Sequence, residues 1–165
     1  RNAGQTCVCS NRIIVQAGIY DEFVSKLTVA TQKLVIGNGT EEGVTVGPLI
    51  DETAANNVCD FIDDAVAKGA KVALGGGRSD LGGSFVLPTI LTDVSRDMRV
   101  FSEEIFGPVA PVFKFETEAE VVEMANETEF GLAAYFYSRD IGRVWRVAEQ
   151  LEYGMVGINE GVLSN

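Results

Sequence analysis

The chain of 165 residues has 46% hydrophobic and 22% charged side chains, a balance that supports one domain-sized core without disulfides or metal and argues against disorder or a fibrous repeat. Thirteen Lys and Arg against 24 Asp and Glu leave a formal charge of −11 with no basic cluster, so no nucleic acid partner is expected. Apolar stretches such as Val109 to Phe113 fall far short of the roughly 20 residues of a membrane-spanning helix, so no membrane partner is expected either.

In chain order, Arg12 to Val15 is a short β-branched run that reads as a buried strand. Ile19, Phe23, Leu27, Ala30 and Leu34 then recur at helical spacing, with Asp21 and Glu22 in the first turn and Gly37 past the end. Gly37 to Pro48 reads as a loop. Asp51 is a natural N-cap for a helix whose face is Ala54, Val58, Ile62, Ala65 and Val66, stopped at Lys68-Gly69. Lys71 to Leu74 is a short strand, Gly75 to Gly83 a flexible polar stretch, and Phe85 to Val94 an extended segment containing Pro88. Val109 to Phe115 is a strand, and Thr117-x-x-Glu120 is a capping box opening the next helix. Leu132 to Tyr137, Ile141 to Leu151 and Met155 to Ile158 read as strand, helix and strand. The alternation predicts an α/β fold, a three-layer open and mainly parallel sheet with flanking helices, whose functional groups gather at strand C-termini.

There is no histidine, so Ser-His-Asp and Cys-His nucleophile pairs and imidazole metal ligands are excluded within this chain. Cysteines at 7, 9 and 59 are an odd set in a chain that needs no staples, which points to a reducing compartment, the cytoplasm or a mitochondrial matrix. Arg1 opens the chain without a preceding Met or a leader, so the chain is expected to be an excised piece with neighbours on both sides.

Gly4-Gln5-Thr6-Cys7 precedes the first strand, where a tight turn and backbone amides could hold an exposed thiolate. By composition alone a packed apolar thiol is the commoner outcome. Cys59, mid-helix beside the apolar face, is expected to be such a thiol. Cys7 and Cys9 would need a turn to form a disulfide, and too few ligands accompany them for zinc, so no metal site is expected. Glu103-Glu104-Ile105-Phe106-Gly107-Pro108 is an acidic turn whose carboxylates could accept from a ribose diol. Gly37-Asn38-Gly39 follows a helix and lacks the spacing of a phosphate loop.

Taken together, Arg1-Asn2-Ala3-Gly4-Gln5-Thr6-Cys7, Gly47-Pro48-Leu49, Glu103 to Pro108 and Gly131-Leu132-Ala133-Ala134 resemble the catalytic domain of the NAD(P)-dependent aldehyde dehydrogenase superfamily. Cys7-Val8-Cys9, Trp145 to Glu152 and Gly157-Ile158-Asn159-Glu160-Gly161 are similar to its succinate-semialdehyde branch. The resemblance covers residues 1–165 as a fragment of the nucleophile-bearing domain, with the NAD(P)-binding domain and the C-terminal tail outside it.

The resemblance implies oxidation of succinate semialdehyde to succinate, with Cys7 as the nucleophile passing through a thiohemiacetal and a thioester. Glu104 is implied to bind the nicotinamide-ribose hydroxyls and Phe106 to lie beside the nicotinamide of NAD or NADP. Arg1 and Ser164 are implied to grip the substrate carboxylate, and Cys9 to form a reversible disulfide with Cys7. The general base and half of the oxyanion hole would lie ahead of Arg1, so the fragment alone is expected to be inactive and its parent a homodimer or homotetramer acting on a small-molecule aldehyde. A dehydrogenase for glutarate semialdehyde, a general aldehyde dehydrogenase, a thiol-redox module using Cys7 and Cys9, and a purely structural domain are the competing readings.

Overall fold

The computed structural model describes residues 1–161. Its larger sheet contains β1 (Ile13–Gln16), β2 (Lys71–Leu74), β3 (Thr89–Thr92) and β4 (Val109–Phe115) in the order β1-β4-β3-β2. β4 pairs in parallel with both β1 and β3, while β2 runs antiparallel at the edge. β5 (Ala133–Phe136) and β6 (Met155–Ile158) form a separate parallel pair. The mainly parallel expectation holds, but the strands divide into two sheets.

Side chains of successive strand residues point to opposite faces, and both faces of the central strands are covered. Leu91 and Phe113 join Val58, Phe61, Ile62 and Ala65 of α2 (Glu52–Ala67) in the main core. Ile90 and Val112 lie instead with Val15 and Tyr20, and Phe23, Val24 and Leu27 of α1 (Tyr20–Thr31) pack against them. Helix, sheet and helix are therefore the three layers, as two-sided burial of a parallel sheet requires. Each large apolar side chain fully buried there contributes about 1.5–3 kcal/mol. The Tyr20 hydroxyl satisfies itself by donating to the Val112 carbonyl at 2.9 Å.

Local signals explain most boundaries. Asp51 accepts from the Ala54 N–H at 2.8 Å to start α2, and Gly69 leaves it at φ 105°. Asp140 accepts from the Arg143 N–H at 2.6 Å to start α5 (Ile141–Gln150). Thr117 caps α4 (Glu118–Asn126) through the Glu120 N–H at 3.2 Å. The Glu120 carboxylate, however, takes the N–H of Glu116, one residue before the cap, at 2.8 Å.

Three segments depart from expectation. α1 stops at Thr31 instead of reaching Leu34, because the Val35 carbonyl accepts from the Thr45 and Val46 N–H groups and Ile36 bridges to Val46. The glycine-rich stretch after β2 is held in place: Gly76 N–H donates to Thr89 Oγ1, and Leu87 N–H to the Gly77 carbonyl, both at 2.9 Å. A one-turn helix, α3 (Arg99–Ser102), lies unannounced before the Glu103-Glu104 turn. Its N-terminal cap is Asp64 of α2, which accepts the Arg99 N–H at 2.9 Å from 35 residues away.

Arg12 joins the larger sheet to the rest. Its guanidinium donates to the Met124 and Ala125 carbonyls of the last turn of α4 at 2.7 and 2.8 Å and to the Tyr153 hydroxyl at 3.2 Å. A cation there satisfies orphan carbonyls and complements the helix dipole. No helix among the described residues is long and apolar enough to cross a membrane.

Candidate active site

The segment before β1 is a chain of turns. Asn2, Ala3 and Gly4 all have positive φ, at 49°, 51° and 77°. Gly4 is required twice over: its backbone is left-handed, and a Cβ there would overlap the Gly107 carbonyl. The Gln5 side chain then reaches out of the turn, accepting from the Ile50 N–H at 2.9 Å and donating to the Pro48 carbonyl at 3.4 Å.

Thr6 to Cys9 form a further turn closed by the Cys9 N–H on the Thr6 carbonyl at 3.0 Å. Cys7 stands exposed on it. The Cys7 N–H donates to no group among the described residues. Cys9 is half-buried, its Sγ 2.7 Å from Thr6 Oγ1 and 3.5 Å from the Arg1 carbonyl. No disulfide joins the two cysteines in this structure. From the opposite side the Tyr135 hydroxyl of β5 donates to the Val8 carbonyl at 2.8 Å.

The Glu103–Pro108 segment runs alongside. Glu103 is paired with Arg99 at 2.9 and 3.0 Å, which holds its carboxyl below the usual carboxylate range. Glu104 is exposed and has no ion pair or hydrogen bond among the described residues. Phe106 adopts φ 51° and stays 45% exposed. Glu104 and Phe106 line one small cleft with Gly4, Thr6, Cys9, Ser10, Asn11 and Gly107, so the two candidates for cofactor contact lie beside the Cys7 turn, far from it in sequence. An acceptor-only carboxylate and an exposed aromatic face are a donor-seeking and a stacking group, the chemistry that a ribose diol and a flat ring require.

Arg1 lies on a larger groove that also includes Val8, Cys9, Pro88, Pro108 and Gly161. The two extremities of the described chain thus come to the same place. Asn159 holds the far one, through a pair of hydrogen bonds with the Ser138 backbone at 2.9 and 3.0 Å. Ser164 lies outside the described residues. Cys59 is half-buried in α2, and burial pushes its thiol up, consistent with a packing residue. No group of three or more Cys, Asp or Glu among the described residues is arranged to hold a metal ion.

Gln5 stands in the Gly4-Gln5-Thr6-Cys7 motif and Asn11 in none, and for neither does the sequence show what its side chain holds. Each acts through a side-chain amide on a distant backbone, and such partners appear only once the chain is folded.

The model of the aldehyde dehydrogenase family matches residues 1–165. The chain belongs to this family. It is 63% identical to glutarate-semialdehyde dehydrogenase of Pseudomonas aeruginosa, over 100% of this chain and 34% of that protein. It is 59% identical to the NADP(+) succinate-semialdehyde dehydrogenase of Escherichia coli, again over 100% of this chain and 34% of that protein. Among solved structures, succinate-semialdehyde dehydrogenase from Burkholderia pseudomallei superposes with a TM-score of 0.99 at 61% identity, covering 100% of this chain and 34% of that one. Betaine aldehyde dehydrogenase from Staphylococcus aureus, solved with NAD+, superposes at 0.94 with 40% identity, covering 99% and 34%. The chain therefore spans about a third of the length of the relatives it matches.

Proposed function

We propose that residues 1–165 are part of the nucleophile-bearing domain of a dehydrogenase that oxidises succinate semialdehyde to succinate with NAD or NADP. The observation that carries this reading is the exposed Cys7 on a pinned turn, next to the cleft of Glu104 and Phe106.

A thiolate is the strong nucleophile available near neutral pH. Cys7 Sγ attacks the aldehyde carbon and forms a C–S bond, while the carbonyl π pair moves to oxygen. The unengaged Cys7 N–H supplies one donor to that oxyanion. A bound oxidised nicotinamide would supply the acceptor for the hydrogen and electron pair that leave the carbon. Re-forming the C=O leaves a thioester on Cys7; water adds to it, the C–S bond breaks, and the carboxylic acid departs with the thiol restored. Glu104 would accept from the ribose hydroxyls of the cofactor and Phe106 would offer its exposed ring to the nicotinamide, so these two residues would hold the group beside the Cys7 turn. The base for the water and the second oxyanion donor come, on this reading, from the rest of the parent protein.

Arg1, on the groove beside Val8 and Cys9, grips the substrate carboxylate with paired donors, and Ser164, outside the described residues, is the second group the family resemblance assigns to that carboxylate. The similar proteins include succinate-semialdehyde, glutarate-semialdehyde and 3-sulfolactaldehyde dehydrogenases, whose names all denote aldehydes with an acidic group at the other end. The 63% identity to a glutarate-semialdehyde dehydrogenase favours that longer substrate as the second reading, one methylene being worth only about 1–3 kcal/mol. The parent is read as a homodimer or homotetramer, in the cytoplasm or a mitochondrial matrix.

The test compares succinate semialdehyde, glutarate semialdehyde and butanal as substrates of the full-length parent, with NAD and NADP separately. Preference for the acidic substrates of about 10- to 100-fold in kcat/KM, erased by Arg1→Ala, is the expected result. Equal rates on all three would make the parent a general aldehyde dehydrogenase, and no reaction with any would put the thiol-redox reading first.

A further inference from the structure

The stretch from Glu103 to Gly107 lies between α3 and β4 and has no strand beside it. A single side chain takes that place. Asn11 Nδ2 donates to the Glu103 carbonyl at 2.9 Å, and the Ile105 N–H donates to Asn11 Oδ1 at 2.9 Å. The two peptide groups lie on either side of Glu104, so the amide closes a ring around the residue whose carboxylate is exposed on the cleft. Asn11 lines the same cleft.

Asn11 itself is well anchored. It lies two residues ahead of Ile13, where β1 enters its register with Val112 of β4, and its neighbour Arg12 is fixed to the end of α4. It also follows Cys7 by four residues on the same short arm. The bonds require a donor and an acceptor on one compact head, which an amide has and a carboxylate or a hydrocarbon lacks. Glu103 is already engaged by Arg99 and Ile105 is buried in the main core, so Glu104 is the one residue of the three left to meet a ligand.

We propose that Asn11 is a positioning residue, which sets the Glu104 carboxylate, and through it the nicotinamide ribose, at a fixed place relative to the Cys7 thiol. This rests on the cofactor role of Glu104 argued above.

The experiment is calorimetric titration of the full-length parent with NAD+ and NADP+, using Asn11→Ala, Glu104→Gln and the double variant, with melting temperatures recorded for each. Asn11→Asp, which keeps the size and the acceptor for Ile105 but loses the donor, serves as a second probe. Asn11→Ala is expected to weaken cofactor binding about fivefold, as loss of hydrogen bonds worth about 1 kcal/mol implies, and to change it less than twofold once Glu104 is Gln. Asn11→Asp is expected to weaken binding as well. Equal weakening by Asn11→Ala with and without the Glu104 carboxylate overturns the proposal, because Asn11 then does not act through it. A lowered melting temperature with unchanged affinity also overturns it, since the role would be structural. If Glu104→Gln alone leaves affinity unchanged, the cofactor role of Glu104 itself fails, and the proposal with it.

Discussion

Gly4 lies so close against Gly107 that the space for a methyl group is already taken by the Gly107 carbonyl. This contact sets the Cys7 turn on the Glu103–Pro108 segment, and Gly4 also holds φ 77°. Gly4→Ala is therefore expected to cost about 2 kcal/mol or more through strain and displacement together. Denaturant unfolding of the parent should show the lower midpoint, and thiol labelling should show Cys7 changed in reactivity even where the protein remains folded.

Arg12→Ala removes the donors that satisfy the last carbonyls of α4 and the contact with Tyr153. A loss of about 2 kcal/mol is expected, because charged hydrogen bonds are broken and the Met124 carbonyl loses its guanidinium donor, while the Ala125 carbonyl keeps the Tyr153 hydroxyl at 2.5 Å. Arg12→Lys should restore only part of it, since one ammonium cannot span two carbonyls and a hydroxyl as the guanidinium fork does. Chemical denaturation of the two variants decides it; equal stability of Lys and Arg would refute the argument.

Asp64 gives a pH dependence. Accepting the Arg99 N–H, and secondarily its pairing with Lys68, lowers its carboxyl below the ordinary value. A depressed folded pKa means stability that is fully present above the unfolded value near 3.9 and lost as pH falls through the folded value. Melting temperatures between pH 7 and pH 2 should thus show an acid-side loss, below about pH 4, that is smaller in Asp64→Asn. An identical acid slope in that variant would show the group to be uninvolved.

Much of this molecule can be read before it folds. Asp51, Thr117 and the apolar faces of α1 and α2 announce themselves because cap and helix are adjacent in sequence, and the strands show as β-branched runs. α3 and the end of α1 do not: Asp64 caps the first from another helix, and the second is decided by Thr45 and Val46 capturing the Val35 carbonyl. At the candidate site, family resemblance singles out Cys7, Glu104 and Phe106, and the fold brings their segments together. What composition could not show is the amide work of Gln5 and Asn11, since a lone Asn or Gln looks the same wherever it is used.

The cysteine pair yields a further expectation. Cys9 is held by Thr6 and the Arg1 carbonyl on the turn that exposes Cys7. On the reversible disulfide that the family resemblance implies, peroxide oxidises the two thiols to a disulfide while being reduced to water, and activity of the parent returns with dithiothreitol. Mass spectrometry of the treated parent should find the loss of two hydrogens on the peptide containing both residues, and Cys9→Ser should abolish the recovery. Both thiols remaining reduced after mild treatment would end this idea.

The tethers of the Cys7 turn span long stretches of polypeptide: Gln5 reaches a partner 43 residues away, and Tyr135 reaches Val8 across 127. Contacts that close such large loops form late, because their entropy cost must be met before they are rewarded. The turn that exposes Cys7 is therefore expected to take its final form only when β5 has docked, near the end of folding. On the proposed function, completing the structure is then also what completes the site around Cys7.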